Sequence, residues 1–484
     1  MLARSIARRA IADAYTLPAP VGGWNARDPL ADMDESEAVK LDNWFPQPAE
    51  VVLRKGFTNH VTTGLGDTVD TLMTYATPTG VTLFAAAGDT IYDVTTGDTA
   101  EVTSETSLSS DRWQWVNFRT AAGSSVLMAA NGADSMRSYN GSAWAATSIS
   151  GVTSSSIDNL FVHAERIWLV EEDSTKAWYL GAGAVSGTAT SFNLGAVFKL
   201  GGKLVAGGSW TIDAGEGMDD HCVFVSSKGE VAVYKGYDPS SASTFGLVGV
   251  YRLAPPIGKR CIVRYAGDLI VITVDGAFPL SRALQTDRNQ GVAITDKIRR
   301  AFADAYGLYG SEFGWEGIYY PIAPFLLFNV PDTVNGSVQY AMNVLNGSWS
   351  RFTGMDANCW AVSGDSLYFA SGAAVYKAWN GTADAGTDNI VGDCKQAFTY
   401  FKRRGQIKHV KMVRPILVAD GDPAVGIGWS VDYGDEGPSS TPTFTSAGAA
   451  LVWDSGAWDV DVWGGDPSVR RNWQTAGAIG TALA

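Results

Sequence analysis

One fifteen-residue pattern occurs twice in this chain, and it constrains the fold more than any other feature. LFAAAGDTIYDVTTG (Leu83–Gly97) and LYFASGAAVYKAWNG (Leu367–Gly381) align without a gap, so that Gly88 aligns with Gly372. Each copy consists of an apolar run, a turn glycine and a second apolar run, which is the pattern of a β-hairpin. Two such hairpins far apart in one chain indicate a repeat architecture.

Further copies place a glycine at the same point of the pattern. The turn glycines of the five clearest copies are Gly88, Gly132, Gly229, Gly276 and Gly372. Their spacings are close to one or two steps of about 47 residues, the length of a four-stranded propeller blade. Each double step leaves room for a degenerate copy, at Arg166–Leu180 and at Phe325–Trp349. The sequence therefore predicts an all-β fold, a β-propeller of about seven blades, in which the first and last hairpins are neighbours.

The composition fits this prediction. The chain has 484 residues, of which 54 are glycine and 17 are tryptophan, and it is 46% hydrophobic. Turn glycines between short apolar runs are typical of all-β proteins. We interpret the tryptophans of the repeats mainly as packing residues between blades, and not as a platform for binding sugars.

The repeat divides the chain into four predicted parts. Residues 1–13 are predicted to be a flexible or helical arm, and residues 14–62, rich in Pro and Gly, an extended N-terminal segment. Residues 63–393 are assigned to the β-propeller and residues 394–484 to a small C-terminal β domain. Within the propeller, AITDKIRRAFADAYG (Ala293–Gly307) has apolar residues at helical spacing and predicts one inserted helix.

The net charge and the cysteines limit the binding partners and the cellular compartment that the sequence predicts. A net charge of −14 argues against binding nucleic acid over a broad surface, because affinity for phosphate comes from clustered Lys and Arg. No apolar run is long enough to predict a membrane-spanning segment, and arginines interrupt what would be a secretory signal. The cysteines form no CxxC pair, so we expect buried free thiols and folding in a cytosol; they are Cys222, Cys261, Cys359 and Cys394.

Sequence motifs of catalysis were sought and not found, including the nucleophile elbow, the zinc-protease helix and the phosphate-binding loop. We therefore expect no catalytic residues, no cofactor and no enzymatic activity, although the many acids leave a glycosidase-type carboxylate pair open. DAGEGMDD is a candidate calcium loop, but its spacing is not that of an EF-hand and a solvated turn is the alternative. Its acidic residues are Asp213, Glu216, Asp219 and Asp220.

Two groups of basic residues are candidates for contact with DNA or with an acidic partner. The inserted helix is predicted to expose Lys297, Arg299 and Arg300. FKRRGQIKHVKMVR (Phe401–Arg414) is the one basic run, and its candidate residues are Lys402, Arg403, Arg404, Lys408 and Lys411. The alternative is a solvated face whose charges balance the acidic remainder of the chain.

Several segments resemble a tail protein of short-tailed bacteriophages. The resemblance is carried by GGWNARDPLADMDESEAVKLDNWFPQPAEVVLRKGF (Gly22–Phe57), by Asp213–Leu253, and by the later AITDKIRRAF and YFKRRGQIKHVKMVRP. The recognisable residues of the first segment are Gly23, Asn25, Arg27, Asp28, Pro29, Leu30, Leu41, Asp42, Asn43, Phe45, Pro46, Leu53 and Arg54. The likeness extends from about residue 22 to the C-terminus.

This resemblance implies a tail nozzle, or packaged-DNA-stabilising hub, of podovirus-like phages. Such proteins carry a β-propeller with accessory β domains and form a hexameric ring below the head–tail adaptor. The implied partners are other copies of the chain, the adaptor, a tail fibre or tailspike, and the genomic DNA that passes through the channel. The implied location is the virion tail, assembled in the host cytoplasm. An acidic channel would let DNA pass without cationic contacts that must be broken.

Two alternatives stand beside the nozzle. One is another tail component, such as an adaptor or a spike-anchoring protein, and the other is a propeller lectin or glycosidase acting on host polysaccharide. For a nozzle we expect subunit contacts from residues 14–62, from the inserted helix and from the C-terminal domain. Deleting residues 1–62 is expected to leave a folded propeller and to abolish tail assembly.

Overall fold

The computed structural model describes residues 14–213, 218–283, 293–332, 336–419, 423–438, 440–441, 468–471 and 474–484. The chain divides into two compact units. The propeller unit comprises Val21–Arg27 and Lys40–Cys394, and the C-terminal unit comprises the residues up to Pro20, Asp28–Val39 and Lys395–Ala484. The predicted extended segment, residues 14–62, is thus shared between the two units.

Five strands precede the first repeat. They are β1 (Gly23–Trp24), β2 (Glu37–Asp42), β3 (Trp44–Pro46), β4 (Val51–Leu53) and β5 (Phe57–Thr63). β3 and β4 form an antiparallel hairpin. The segment is therefore made of short strands, and not of one extended run.

Blades 1 to 3 are antiparallel sheets of four strands. Blade 1 consists of β6 (Val69–Thr77), β7 (Gly80–Ala87) and β8 (Thr90–Asp93), and after β9 (Asp98–Thr99) the sheet is completed by β10 (Glu101–Val102). Blade 2 consists of β11 (Gln114–Arg119), β12 (Ser125–Ala130), β13 (Arg137–Tyr139) and β14 (Trp144–Ala146). Blade 3 consists of β16 (Ile157–His163), β17 (Arg166–Glu171), β18 (Lys176–Tyr179) and β20 (Thr190–Asn193). The elements outside this sheet are β15 (Ile149–Ser150) and a 3-10 turn at Ser154–Ser156, which precede it, and β19 (Gly187–Thr188), which lies between β18 and β20.

Blade 4 is also a four-stranded antiparallel sheet, blade 5 has three strands, and the sheets of blades 6 and 7 gain strands from outside the repeat. Blade 4 consists of β21 (Leu204–Asp213), β22 (Met218–Ser226), β23 (Glu230–Gly236) and β24 (Phe245–Arg252). Blade 5 consists of β25 (Ile262–Tyr265), β26 (Asp268–Thr273) and β27 (Gly276–Pro279), followed by α1 (Leu280–Ala283), a 3-10 turn at Asp296–Ile298 and α2 (Arg299–Tyr309). Blade 6 consists of β28 (Glu316–Tyr320), β29 (Phe325–Asp332), β30 (Gly336–Asn343) and β31 (Trp349–Phe352), and blade 7 begins with β32 (Cys359–Ser363), β33 (Ser366–Ser371) and β34 (Ala374–Ala378).

The blades form a closed ring. The first strand of each blade contacts the first strands of the blades before and after it, and β32 of blade 7 contacts β6 of blade 1. A blade is a small sheet that buries its two faces only against neighbouring blades, so the ring is the arrangement that covers all of them. The seven sheets found among the described residues are consistent with the predicted count of about seven blades.

Blade 7 takes its outermost strand from the start of the chain. β5 pairs with β34, with Phe57 opposite Ala378 and Val61 opposite Val375. Sequence analysis placed these residues in the extended segment, because a strand from the other end of the repeat carries no copy of the hairpin pattern. Deleting residues 1–62 removes β5 and uncovers the edge of blade 7. The structure therefore leads us to expect, in place of a folded propeller, that this deletion destabilises blade 7.

The two hairpins of the repeated pattern lie in neighbouring blades, as predicted. Leu83 of blade 1 and Ala370 of blade 7 share one buried cluster, and the Val69 N–H donates to the Gly372 carbonyl at 2.9 Å. Gly88 and Gly372 have φ values of +59° and +51°, a left-handed conformation that favours glycine in a turn. The pattern therefore repeats because each blade needs the same hairpin.

The core of the propeller unit lies between the blades. Trp144 of blade 2 packs edge-on against Phe84 of blade 1, with ring centroids 5.1 Å apart. Trp168 of blade 3 contacts Phe224 of blade 4 at 5.3 Å. These contacts confirm the prediction that repeat tryptophans pack between blades, where their large apolar area is buried.

The C-terminal unit is built from short strands. They are β35 (Asp393–Gln396), β36 (Lys408–Val413), β37 (Ile416–Ala419), β38 (Ser468–Arg471) and β39 (Gln474–Gly480). β36 pairs with β39, and β37 pairs with β38. Residues of the N-terminal segment complete this unit, since Thr399 Oγ1 donates to Glu35 Oε1 at 2.5 Å.

Candidate functional site

The basic run of the C-terminal unit forms a tight turn followed by β36. The Arg403 N–H donates to the Tyr400 carbonyl at 2.9 Å, and the two residues between them, Phe401 and Lys402, have φ values of +47° and +61°. Residues other than glycine adopt this conformation at an energetic cost, so the surrounding structure must impose it. The turn leaves Lys402 and Arg403 exposed.

Two of the five cations in this run are engaged within the unit itself. The Arg404 guanidinium pairs with Asp32 at 2.9 Å and lies 4.8 Å from the ring centroid of Tyr400. Lys408 Nζ donates to the Thr481 carbonyl at 2.7 Å. Both side chains therefore stabilise the unit, and Lys402 and Lys411 remain as exposed cations without a carboxylate partner among the described residues.

The cations of the inserted helix lie at its N-terminus. Arg299 and Arg300 are exposed, and Arg299 lies 3.8 Å from Asp296. Lys297 is only half exposed, and its carbonyl accepts the Ala26 N–H at 2.9 Å. The expectation that all three side chains face solvent is thus corrected for Lys297. The helix begins at Arg299 and ends at Tyr309, two residues beyond the predicted end.

Helix α2 is fixed to the propeller by its apolar face. Phe302 is buried and packs against Trp315 with ring centroids 5.6 Å apart. Next to the helix, Asp296 pairs with Arg27 of the N-terminal segment. The helix therefore joins the segment that carries the family resemblance to the body of the propeller.

The described candidates of the acidic hairpin lie on the paired strands β21 and β22, and each is opposite a residue that is not acidic. Asp213 lies opposite Met218 in the backbone register, and Asp219 lies opposite Ile212. Asp220 accepts a hydrogen bond from Thr211 Oγ1 at 2.7 Å, while Glu216 lies outside the described residues. Among the residues that the structure describes, no three His, Cys, Asp or Glu side chains form a group that could bind a metal ion.

All four cysteines are free thiols, and their burial differs. Cys222, Cys261 and Cys359 are buried, as expected, whereas Cys394 is exposed. Burial raises the pKa of Cys261 to about 12. A thiol with such a pKa is not a nucleophile near neutral pH, so the buried cysteines act as small apolar residues.

Sequence reasoning missed a buried polar network at the N-terminal signature. The Arg54 side chain is fully buried, and it forms two hydrogen bonds to Asp384, at 2.6 and 2.8 Å. Its Nε also donates to Asn43 Oδ1 at 2.9 Å. Such a two-pronged arginine–carboxylate contact fixes both position and orientation. We call the set Asn43, Arg54 and Asp384 the anchor network.

Asn43 and its neighbour extend the anchor network to blade 6 and to the chain that follows blade 7. Asn43 adopts a left-handed backbone with φ +60°, and its side-chain amide donates to the Val391 carbonyl at 2.8 Å. Asp42 forms two hydrogen bonds with Arg351 of β31, at 2.8 and 2.6 Å. Three signature residues are thus explained by their attachment of the N-terminal segment to blade 6 and to the chain that follows blade 7.

A second group missed by sequence reasoning lies at one end of the propeller axis, where the first strands begin. Arg260 precedes β25 of blade 5, and its guanidinium reaches Glu316 of blade 6 at 3.2 Å. It also donates to Thr71 Oγ1 of blade 1 at 2.8 Å and to the Trp113 carbonyl before blade 2 at 3.4 Å. Because these partners lie across the ring from blade 5, Arg260 spans the axis. We call Arg260, Glu316 and the residues paired beside them the axial cluster.

The remaining charges of the axial cluster are also paired. Arg112 pairs with Asp70 at 2.9 Å and lies 4.1 Å from the ring centroid of Phe313. Lys259 pairs with the buried carboxylate of Asp158 at 3.0 Å. Cationic and anionic side chains at the start of most of the blades therefore meet in ion pairs at this end of the axis.

Burial sets the electrostatics of the two carboxylates in the axial cluster. Burial raises the pKa of Glu316, and the Arg260 guanidinium offsets part of that rise. Burial likewise raises the pKa of Asp158 in spite of the nearby Lys259 ammonium. These shifts follow from loss of water around the charged form, which outweighs the attraction of one partner. Raised pKa values also occur at catalytic sites, but here both groups are in structural ion pairs.

Comparisons with known proteins bear on the fold alone. No family model matches the chain, and neither does any curated protein. Among solved structures, 315 chains match. They include BBS1N in complex with ARL6DN (TM-score 0.41, 10% identity, covering 69% of this chain and 99% of that one) and virginiamycin B lyase from Staphylococcus aureus with quinupristin (0.42, 10%, 66% and 97%).

A further match is Raptor from Chaetomium thermophilum, with a TM-score of 0.41, 10% identity and 67% of this chain covered. This chain spans only 29% of the length of Raptor. The class of protein is that of the β-propellers, since a closed ring of small antiparallel sheets defines it. The similarities carry no argument about activity. Within the described part of the chain, no helix is long and apolar enough to cross a membrane.

Proposed function

We propose that this chain is a structural protein of the virion of a short-tailed bacteriophage, a tail nozzle whose copies form a ring around the DNA channel. The proposal begins from the resemblance of residues 22–57 and of three later segments to that class of tail protein. Its partners would be other copies, the head–tail adaptor, a tail fibre or tailspike, and the passing DNA.

The observation that carries the proposal is the use of the signature residues for attachment. Arg54, Asn43 and Asp42 are buried or half-buried in ion pairs and hydrogen bonds to blade 6 and to the chain that follows blade 7. Residues that define a catalytic family usually converge on a pocket, with groups left available for a substrate. Here the signature residues attach the N-terminal segment to the propeller. Such attachment suits a protein whose role is to present a rigid surface to neighbouring subunits.

The axial cluster supports the same proposed function. Arg260 spans the end of the propeller axis where the first strands begin, so DNA would run between copies of the chain and not through one propeller. The chain has 50 acidic and 36 basic residues, and an acidic wall would give passing phosphates few cations to bind.

The test is the symmetry of the purified full-length chain and of the virion. Electron microscopy should show six-fold rings, and the copy number per virion should be six. Twelve copies would instead favour an adaptor. A monomer or trimer that binds or cleaves glycans would favour the lectin or glycosidase reading, and either result would overturn the nozzle.

A further inference from the structure

The part of the propeller unit that contains β5 and blade 1 is strongly acidic. Between Lys55 and Arg112 the chain has eight acidic residues and no basic residue. The acidic edge of this part is the run from Thr95 to Val102, exposed except for the buried Ala100, where β9 pairs with β5 of blade 7 and β10 completes blade 1. Asp98 and Glu101 are exposed there, and no described Lys or Arg pairs with either of them.

The acidic edge also carries an apolar residue. Val102 is 63% exposed and stands next to Glu101. It lies on β10, which pairs with β8 on one side only among the described strands. Exposed apolar side chains ringed by charges are typical of protein contact surfaces, where an apolar centre is surrounded by a polar rim.

The C-terminal unit has a surface of the opposite charge. Between Asp393 and Asp420 the chain has seven basic residues and no acidic residue. Since alternate residues of a strand face the same side, His409 and Lys411 share one face of β36, and Ile407 directly precedes this strand. His409 lies opposite Ile479 of β39, and Ile407 and Ile479 are 76% and 59% exposed. We call these four residues, together with the exposed Lys402 of the same basic run, the ribbon face.

We propose that the ribbon face of one copy binds the acidic edge of a second copy, with Lys402 and Lys411 meeting Asp98 and Glu101 around an apolar contact of Ile407 and Ile479 with Val102. The inference rests on the proposed function, because it names the subunit contact of the ring. The charge runs are complementary, and Lys411 lies on the strand whose His409 is opposite the exposed Ile479. Binding to DNA phosphates would use the cations but leave those aliphatic side chains in water.

The contact uses two different surfaces of the chain. Such a head-to-tail contact propagates from copy to copy and closes into a ring when the rotation between copies permits it. A contact of this kind is driven partly by charge attraction, so it should weaken as ionic strength rises.

The test exchanges the charges. One variant carries Lys402→Glu and Lys411→Glu, and the other carries Asp98→Lys and Glu101→Lys. All four positions are exposed, but Asp98 and Lys402 have positive φ values, so assembly is compared only for variants whose circular dichroism and melting temperature match those of the wild type. In sedimentation velocity each variant alone should associate about 10-fold or more weakly than the wild type. A 1:1 mixture should recover the rings, because opposite charges then meet at every contact of an alternating ring.

The control variant carries Lys55→Glu and Lys228→Glu, two exposed lysines of the propeller unit, and it should assemble like the wild type. Wild-type rings together with ring formation by either charge-reversed variant would overturn this contact and leave the nozzle proposal standing. A wild type that never assembles would overturn both. Failure of the mixture to assemble, with loss of binding to a short DNA duplex in the Lys402→Glu/Lys411→Glu variant, would reassign the ribbon face to DNA.

Discussion

At the scale of single residues, Arg54 has the most demanding environment in the propeller unit. Its guanidinium is removed from water, and most of the contacts that replace the water come from residues far away in sequence, Asp384 and the Thr353 carbonyl. A buried charge of this kind is tolerated only while its partners are in place. The stability of the attachment therefore depends on one side chain and its geometry.

Replacing Arg54 with Ala should lower the free energy of unfolding by about 3–5 kcal/mol, because Asp384 would be left buried without its partner. Arg54→Lys should retain only part of this stability, since an ammonium cannot form the two-pronged contact with Asp384. Thermal and urea unfolding of the full chain measure the change. Lys203→Met, which removes an exposed ion pair with Asp173, is the control and should change little. Equal effects of Arg54→Ala and Lys203→Met would contradict the role of the anchor network.

Glu316 gives the axial cluster a predictable response to pH. Because burial raises its folded-state pKa above the unfolded value, the folded chain binds this proton more tightly than the unfolded chain. The corresponding stability is present below the ordinary carboxyl pKa of about 4 and is lost as pH rises through the folded-state pKa. Glu316→Gln cannot titrate, so its stability relative to the wild type should increase as pH rises from about 4 to 7. Melting temperatures at matched ionic strength test this sign, and a relative stability that falls over the same range would refute it.

At the scale of elements, β5 matters most for closing the ring. It comes from the chain before the first blade and pairs with β34 of the last blade. Among the described strands, β34 pairs with β33 on one side and with β5 on the other, and β9 pairs with the far edge of β5. Without β5, the edge of β34 would expose unpaired backbone groups. Phe369 and Tyr376 would also lose their ring contacts with Phe57. The ring is thus held closed by backbone pairing as well as by the buried cluster between blades 1 and 7.

Two truncations separate attachment from closure. Removing residues 1–20 leaves β1 to β5 in place, and the propeller should keep a cooperative melting transition close to that of the full chain. Removing residues 1–62 takes away β5 and the anchor residues Asn43 and Arg54, and it should give an aggregating chain or a strongly lowered melting temperature. Circular dichroism and light scattering distinguish these outcomes. A well-folded protein lacking residues 1–62 would show that blade 7 closes without β5.

At the scale of the whole molecule, charge is distributed in long runs of one sign. The part from Lys55 to Arg112 contributes acids only, while the part from Asp393 to Asp420 contributes bases only. Runs of this length have little effect on a fold but create surface potentials that select partners and orient their approach. A ring whose copies meet through such surfaces would leave the remaining acidic surface to face the channel, in keeping with the proposed passage of DNA.

Sequence reasoning reached the architecture because its signals are local. A hairpin needs alternating apolar residues and a glycine at positive φ, so each blade repeats those features in its own residues, and their period predicted the propeller and the neighbouring first and last hairpins. The inserted helix was found for the same reason, from the spacing of Ile298 and Phe302. The basic candidates stay predicted contact residues, and the structure engages two of them, Arg404 and Lys408, within their own unit.

The amino-acid sequence by itself thus determined the propeller, the position of its inserted helix and the sign of its charged runs. Only the tertiary structure decided that β5 completes blade 7, that Arg54 meets Asp384 and that Arg260 spans the axis to Thr71, 189 positions away. A polar side chain whose partners come from distant blades carries no periodic signal, because its neighbours are set by the closure of the ring. Local pattern specified the blades, and the geometry of closure specified the contacts between them.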